Sequence, residues 1–490
     1  MRSRLAMCVL LALVWAGLAV GQPVSFSASF EDATMRVDVV HIGNSTEEIF
    51  TLEKVFKQGI WAGSRVHLLD DFDNGRYYAK LYDLASGALL YSKGYDSYFG
   101  EYRTTDWAGK GLRRAYSESI LTPYPKAKAR LAIEVRGRDK KLKEIASFEI
   151  DPSSWEIHRE ALESGVTVIP AHLSGDPHAK VDIAILGEGY TGAEAGKFAA
   201  DLDRFTKIFF AAEPYASHRD SFNLYGVLKP SQDSGTDEPS HGSFKSTVVS
   251  TTFDSLGSER YLLTEDNVAM RDLAAHVPYD AIYIMVNSPR YGGGGIYNLY
   301  CTFTTDNQWH EYIFLHEFGH AFGGLADEYY SSSTAYNEFY PKGIEPNEPN
   351  ITALLEKPDV KWKELVTSGT AVPTPWEKAS FDEMDAAYQK VRREINEKIA
   401  KMKREGAPQT EVAKVQEESE RLSHEAALKA DAFLAKSRFV GQVGAFEGAG
   451  YSSQGLYRPM LDCLMFTKGA KPLCKVCRAA VERVITHYTE

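Results

Sequence analysis

Phe26-Ser27-Ala28-Ser29-Phe30 and Met35-Arg36-Val37-Asp38-Val39 alternate between apolar and polar side chains, and parts of residues 76–82 and 130–135 do the same. Successive strand residues leave on opposite faces, so period two predicts strands with one buried face. Asn74-Gly75 and Ser86-Gly87 punctuate them as turns. Together they predict an all-β sandwich over residues 23–157. This stretch gathers no cluster of ligand-type side chains and reads as an accessory domain.

Beyond Ser164-Gly165 the rhythm changes. Residues 181–186, 222–228 and 281–286 read as apolar strands. Residues 193–210 and 267–275 carry helical spacing between them. Alternating strands and helices predict an α/β domain over residues 165–490. The run from Gly292 to Gly295 follows, then a short strand at 301–305, then a helix opening on Tyr312-Ile313-Phe314-Leu315. Residues 376–436 stand apart. Met384, Tyr388, Val391, Ile395, Ile399 and Met402 recur every three or four positions, Gly406-Ala407-Pro408 breaks the pattern, and a second helix resumes near Thr410. Ser380 with Glu383 reads as a capping box. The segment predicts a helical hairpin inserted in the α/β domain. Packing alone accounts for it, with a recognition arm or a dimer contact as the alternatives.

The chain has 490 residues, 44% hydrophobic and 12% aromatic, enough for two or three domains with large cores. Residues 1–21 read as a secretory signal: Arg2 and Arg4, an apolar run over 5–20, then Ala19-Val20-Gly21 as a small-x-small cleavage site. An uncleaved anchor is the competing reading, but the run is shorter than the roughly 20 residues a spanning helix needs. No cysteine stands at the cleavage point, which argues against a lipoprotein. The expectation is a secreted protein, extracellular or periplasmic, with no stable membrane insertion after cleavage. Net charge is −12, and losing two Arg with the leader leaves 53 basic against 67 acidic residues, or −14. Such a chain repels phosphate backbones, which argues against nucleic acid as a partner. Cys8 leaves with the leader. Cys301, Cys463, Cys474 and Cys477 remain. In an oxidising compartment they predict two disulfides of undetermined pairing, with Cys474-x-x-Cys477 as half of a zinc site as the alternative.

The densest chemistry lies in His316-Glu317-Phe318-Gly319-His320. On a helix, positions i and i+4 share a face, so both imidazoles can reach one metal ion. Glu317 is then placed as general base for a hydrolytic water. Two core histidines beside a buried Glu would be the plain alternative, but all three would need polar partners on an apolar helix. A catalytic zinc usually has a third protein ligand. Gly323 stands three residues after His320, as in the pattern H-E-x-x-H-x-x-G-x-x-H, but the usual third position is Ala326. Gly324 adds one residue to the turn, so Asp327 is the expected third ligand and Glu328 the runner-up. This pattern is similar to that of metzincins, and the likeness implies a Met-containing turn beneath the metal, supplied by Met465, with Met460 second.

The run from His316 through Gly323-Gly324-Leu325-Ala326-Asp327-Glu328-Tyr329 closely resembles the igalysin, or IgA-peptidase, family of metzincin metallopeptidases. Glu188-Gly189-Tyr190, Tyr457-Arg458-Pro459 ahead of Cys463-Leu464-Met465, and the Cys474/Cys477 pair add to the likeness. The resemblance implies a secreted bacterial zinc endopeptidase with one catalytic Zn2+, acting on a protein or peptide substrate. The implied fold is a metzincin-like α/β catalytic domain, a twisted sheet with an active-site helix, behind an N-terminal β-sandwich. It does not imply immunoglobulin A as the substrate. It also implies that an extended substrate pairs with an edge strand at residues 292–297, bringing Gly293, Gly294 and Tyr297 to the substrate; otherwise the glycines form a flexible loop. Tyr297 or Tyr330 then steadies an oxyanion or lines an aromatic wall. Two other functions compete: a glycan- or protein-binding protein working through the sandwich, and an exopeptidase. The latter needs a charged anchor for a chain terminus that the sequence does not single out. Oligomeric state stays open.

Overall fold

The structure is a computed structural model that describes residues 24–331, 339–356 and 359–490. The predicted leader, residues 1–21, lies outside the described residues.

Seven strands build the N-terminal part. Strand β1 (Phe30–Gly43) lies antiparallel between β2 (Glu48–Lys57) and β5 (Arg114–Pro125). The second sheet runs β4 (Leu89–Tyr95), β3 (Tyr77–Asp83), β6 (Ala129–Arg136), β7 (Leu142–Ile150), also antiparallel. Val37, Val39, Leu81, Leu131 and Ile133 close one core between them. The period-two pattern at Met35-Val37-Val39 is thus the inward face of a sandwich.

The second part is a six-stranded mixed sheet ordered β12-β13-β11-β9-β10-β8. Strands β9 (Val181–Glu188), β10 (Phe222–Leu228), β11 (Ala281–Val286) and β13 (Tyr300–Thr304) are parallel. The edges β8 (Thr167–His172) and β12 (Gly293–Ile296) run antiparallel. All eight residues of β9 are buried. Ile183 and Ile185 join one core with Phe198, Leu202 and Phe205 of helix α1 (Ala195–Phe209). Ala184 and Leu186 join another with Met270 and Leu273 of α2 (Asn267–Ala274). A strand covered on both faces carries no polar alternation, which is why 181–186 is apolar at every position but the buried Asp182. Helix α3 (His310–Ala321) packs on the first of these cores through Phe314 and Phe318.

Residues 378–434 form the hairpin of α4 (Lys378–Arg404) and α5 (Gln409–Leu434). Ile399, Val412 and Val415 zip its tip. Ser380 is not a cap. The helix starts at Lys378 behind Glu377, with no side-chain capping bond, and Ser380 is exposed in the first turn. Docking decides this start: Phe381 N–H donates to Glu377 O, while the Phe381 ring packs on Phe433 and Phe466. The tip rests on the α/β part, with Lys403 Nζ 3.0 Å from Glu238 Oε2. A hairpin of β14 (Phe446–Ala449) and β15 (Ser452–Arg458) and a final helix α6 (Lys475–Thr489) complete the fold. Among the described residues, no helix is long and apolar enough to cross a membrane.

Candidate metal centre

Helix α3 presents His316 and His320 one turn apart, and their Nε2 atoms are 3.1 Å from each other. Asp327 Oδ1 is 2.9 Å from the first and 3.2 Å from the second. Each Nδ1 is committed to a backbone carbonyl: His316 to Leu464 O at 3.1 Å, His320 to Leu325 O at 2.6 Å. If those Nδ1 atoms carry the protons, two Nε2 lone pairs and a carboxylate oxygen converge on one point. Such a trio is repulsive unless a cation sits among it. Zinc at roughly 2.0–2.2 Å from N and O donors spans donor separations close to those seen, so the residues present fit a three-donor metal site.

The turn after α3 makes this possible. Gly324 adopts φ +59°, and a Cβ there would lie 2.1 Å from Asn74 Nδ2 and 2.9 Å from the Tyr297 ring. Only glycine tolerates both the left-handed backbone and that approach. The turn leaves Asp327 facing the imidazoles and sends Glu328 to the opposite side. There Glu328 Oε1 lies 3.1 Å from Cys477 Sγ. Met465 lies under the helix between the two histidines, since a Cβ on Gly319 would be 2.9 Å from its Sδ.

Glu317 projects a carboxylate oxygen to within 4.8 Å of both His donor atoms. Burial raises its proton affinity, opposed by His316 and His320. Burial alone would raise Asp327 too, yet the His320 and His316 rings hold it well below the ordinary carboxylate range. Burial pushes His320 down, but Asp327 outweighs this and holds it at about 9. The three donors attract positive charge as a unit.

Sequence reasoning missed the groups that orient the carboxylate. Tyr451 OH donates to Asp327 Oδ2 at 2.5 Å across 124 residues of chain. Arg260 Nη2 donates to Tyr329 OH at 2.9 Å. Tyr329 was in view beside the motif. Tyr451 and Arg260 carried no signal beyond being Tyr and Arg, because the fold alone brings them here.

The cleft over the metal centre is lined by Gly293, Gly295 and Tyr297 from the β12 side, by Tyr291 and Tyr340, and by Asn74, Asp96 and Glu101 of the sandwich. Asn74 Nδ2 donates to Gly324 O at 3.1 Å, and Asp96 N–H to Tyr297 O at 2.9 Å. Gly294 faces away from α3, against Leu263 and Tyr261. The outer edge of β12 is not bare: Leu262 N–H donates to Gly293 O at 3.3 Å. Tyr330 does not reach the cleft chemistry; its OH donates to Asp382 at 2.7 Å. The expected disulfides are absent. Cys301, Cys463, Cys474 and Cys477 are all free and buried. Cys301 sits in β13 with its thiol toward Ile282 O and is not part of the group formed by Cys463, Cys474 and Cys477.

Two imidazoles on one helical turn, a carboxylate from the turn that follows, and a glutamate beside them form a candidate metal site of hydrolytic type. The IgA peptidase M64 family profile matches residues 169–485, and the Peptidase M64 N-terminus profile matches residues 25–147. The chain belongs to the IgA peptidase M64 family, whose members are metal-dependent peptidases. No curated protein matches the chain.

Proposed function

We propose that the protein is a secreted zinc endopeptidase of metzincin type, with His316, His320 and Asp327 as ligands and Glu317 as general base. The observation that carries the reading is the convergence of three donor atoms at 2.9–3.2 Å, with both Nδ1 atoms already engaged by carbonyls. When bound, zinc supplies Lewis acidity to the scissile carbonyl and makes water acidic enough to react near neutral pH.

The chain's own residues do the rest. Glu317 takes a proton from the attacking water and passes it to the leaving amine. Tyr451 holds one Asp327 oxygen, leaving the other aimed at the metal position. Leu464 O and Leu325 O fix the two rings in one tautomer and orientation. An extended substrate lies along β12, whose Gly293 and Gly295 seat the strand on α3, with Gly293, Gly294 and Tyr297 beside it. Met465 supports the helix from below. The sandwich forms the facing wall, which favours an unfolded or hinge-like segment over a folded protein.

Metal analysis and Glu317→Gln test this. The variant keeps its metal and fold and loses turnover by about 10²–10⁴-fold. Near-normal kcat in that variant would overturn the role. Mapped product ends from a panel of unstructured proteins, with immunoglobulin A included, separate internal cleavage from trimming of termini. The N-terminus of the protein recovered outside the cell tests removal of residues 1–21.

A further inference from the structure

Behind the catalytic ligands lies a second group of donors that hydrolysis does not use. Cys463, Cys474, Cys477 and Glu328 each place one donor atom within 4.8 Å of all the others. Their exposures are 1%, 5%, 0% and 0%. They come from three segments: the turn after α3, the stretch beneath α3, and the first turn of α6. Cys463 Sγ and Cys477 Sγ are 3.8 Å apart. A disulfide would need about 2.05 Å. Two sulfurs each about 2.3 Å from one tetrahedral zinc stand about 3.8 Å apart. Glu328 Oε1 lies 3.1 Å from Cys477 Sγ and accepts from Asn350 Nδ2 at 3.1 Å. Its other oxygen is buried and has no hydrogen-bond partner among the described residues. Backbone N–H groups already point at two of the sulfurs: Cys474 N–H at Cys463 Sγ, 3.2 Å, and Cys477 N–H at Cys474 Sγ, 3.5 Å. Thiolates on a metal accept such bonds, and the N-terminus of α6 adds favourable potential.

We propose that Cys463, Cys474, Cys477 and Glu328 hold a second, structural zinc ion. The site is closed: four protein donors, no room for substrate, and burial that denies the thiols a redox partner. Its position gives it a task. Glu328 is chained to the catalytic ligand Asp327, and Glu328 N–H donates to Met465 O at 2.8 Å. Cys463 is followed by Leu464, whose carbonyl takes the His316 Nδ1 proton, and by Met465, which lies against Gly319. One ion would therefore fix both the turn that delivers Asp327 and the segment that orients His316. The proposal does not depend on the catalytic reading, because its donors are different atoms.

Purified protein should contain about two zinc ions per chain, one for each site. His320→Ala should keep one. Refilling that variant with Co2+ should give intense sulfur-to-cobalt charge-transfer absorption, which a His/Asp site does not produce. Cys477→Ser should lose those bands. A metal-free but folded His320→Ala variant overturns the proposal. So does a wild-type Co2+ spectrum without thiolate bands, which decides the matter alone should the variants fail to fold. Intact mass after denaturation and alkylation checks the thiols: every cysteine is expected to be modified, and a Cys463, Cys474 or Cys477 disulfide overturns the site. Loss of the catalytic ion alone would leave the cobalt bands in place, so the two failures are separable.

Discussion

Gly295→Ala probes how closely strand β12 rides on helix α3. A Cβ at this position would lie 2.4 Å from the Glu317 carbonyl oxygen and 2.9 Å from His320 Cβ. Ordinary contacts between heavy atoms begin near 3.5 Å. The first obstacle is helix backbone and cannot rotate aside, so β12 or α3 must move by roughly 1 Å. Overpacking of this kind costs about 1–3 kcal/mol, which lowers Tm by several degrees. The larger effect falls on chemistry. Both clashing residues belong to the metal centre, and a displacement of about 1 Å at reacting groups can cost around 10²-fold in rate. Gly294→Ala is the control. Its Cβ points to the other face and meets the ends of Leu263 and Tyr261, at 2.7 and 3.1 Å, which are side chains able to turn. The assay is cleavage of a quenched fluorescent unstructured peptide, with thermal melting and metal content measured on the same samples. Gly295→Ala should lose kcat at least tenfold more than Gly294→Ala at comparable stability (a difference near 1.4 kcal/mol). Equal turnover in the two variants, with both folded, would refute the close seating of β12 on α3.

Four further outcomes are expected. Tyr451→Phe removes the donor to Asp327 Oδ2 and should weaken the catalytic ion by about 10–100-fold, read by competition with a chelator; unchanged affinity would rule out that orienting role. Asp327→Ala should lose the catalytic ion and Glu328→Gln should not; the reverse result would exchange their assignments. Gly294→Pro should raise KM or abolish cleavage with metal content intact if substrate pairs with β12, and unaltered catalysis would show that it binds elsewhere. Asp182 and Asp280 carry carboxyls raised by burial, Asp182 also by Asp280. Between the ordinary Asp value, about 3.9, and neutrality, the folded state binds more protons than the unfolded one. Stability from this pair is therefore fully present at low pH and falls as pH rises. Asp182→Asn should lessen the drop in Tm from pH 5 to pH 8; an unchanged drop would discount the pair.

The sequence carried the parts whose signal is local. Residues 181–186, 222–228 and 281–286 announce buried strands because a sheet covered on both faces is mostly apolar, Asp182 and Asn223 being the buried exceptions. His316 and His320 announce a metal because four-residue spacing is a property of one helix. Edge strand β12 was harder, since its glycines have no side chains to alternate; its place follows from pairing with β13. Helix α6 passed unnoticed because its buried residues, Val476, Cys477, Val481, Val484 and Ile485, sit in a polar background. The disulfide expectation failed because an even cysteine count in an oxidising compartment fits thiols that converge on a metal just as well as it fits thiols that pair. Only the 3.8 Å separation distinguishes them. Tyr451 and Arg260 could not be read, since nothing local marks a residue that the fold carries in from far along the chain.

Asn74 reaches from the sandwich to the carbonyl of Gly324, and with Asp96 and Glu101 it forms one bank of the cleft. The two banks belong to parts that share a core: Tyr98, Phe99, Tyr102 and Tyr116 of the N-terminal part lie in one buried cluster with Val249, Leu263 and Met270. The N-terminal part lines the cleft and supplies none of the clustered donors His316, Glu317 and His320. Because Asn74 bonds the carbonyl of the turn that leads to Asp327, a change at that seat reaches the candidate metal site as well as the cleft.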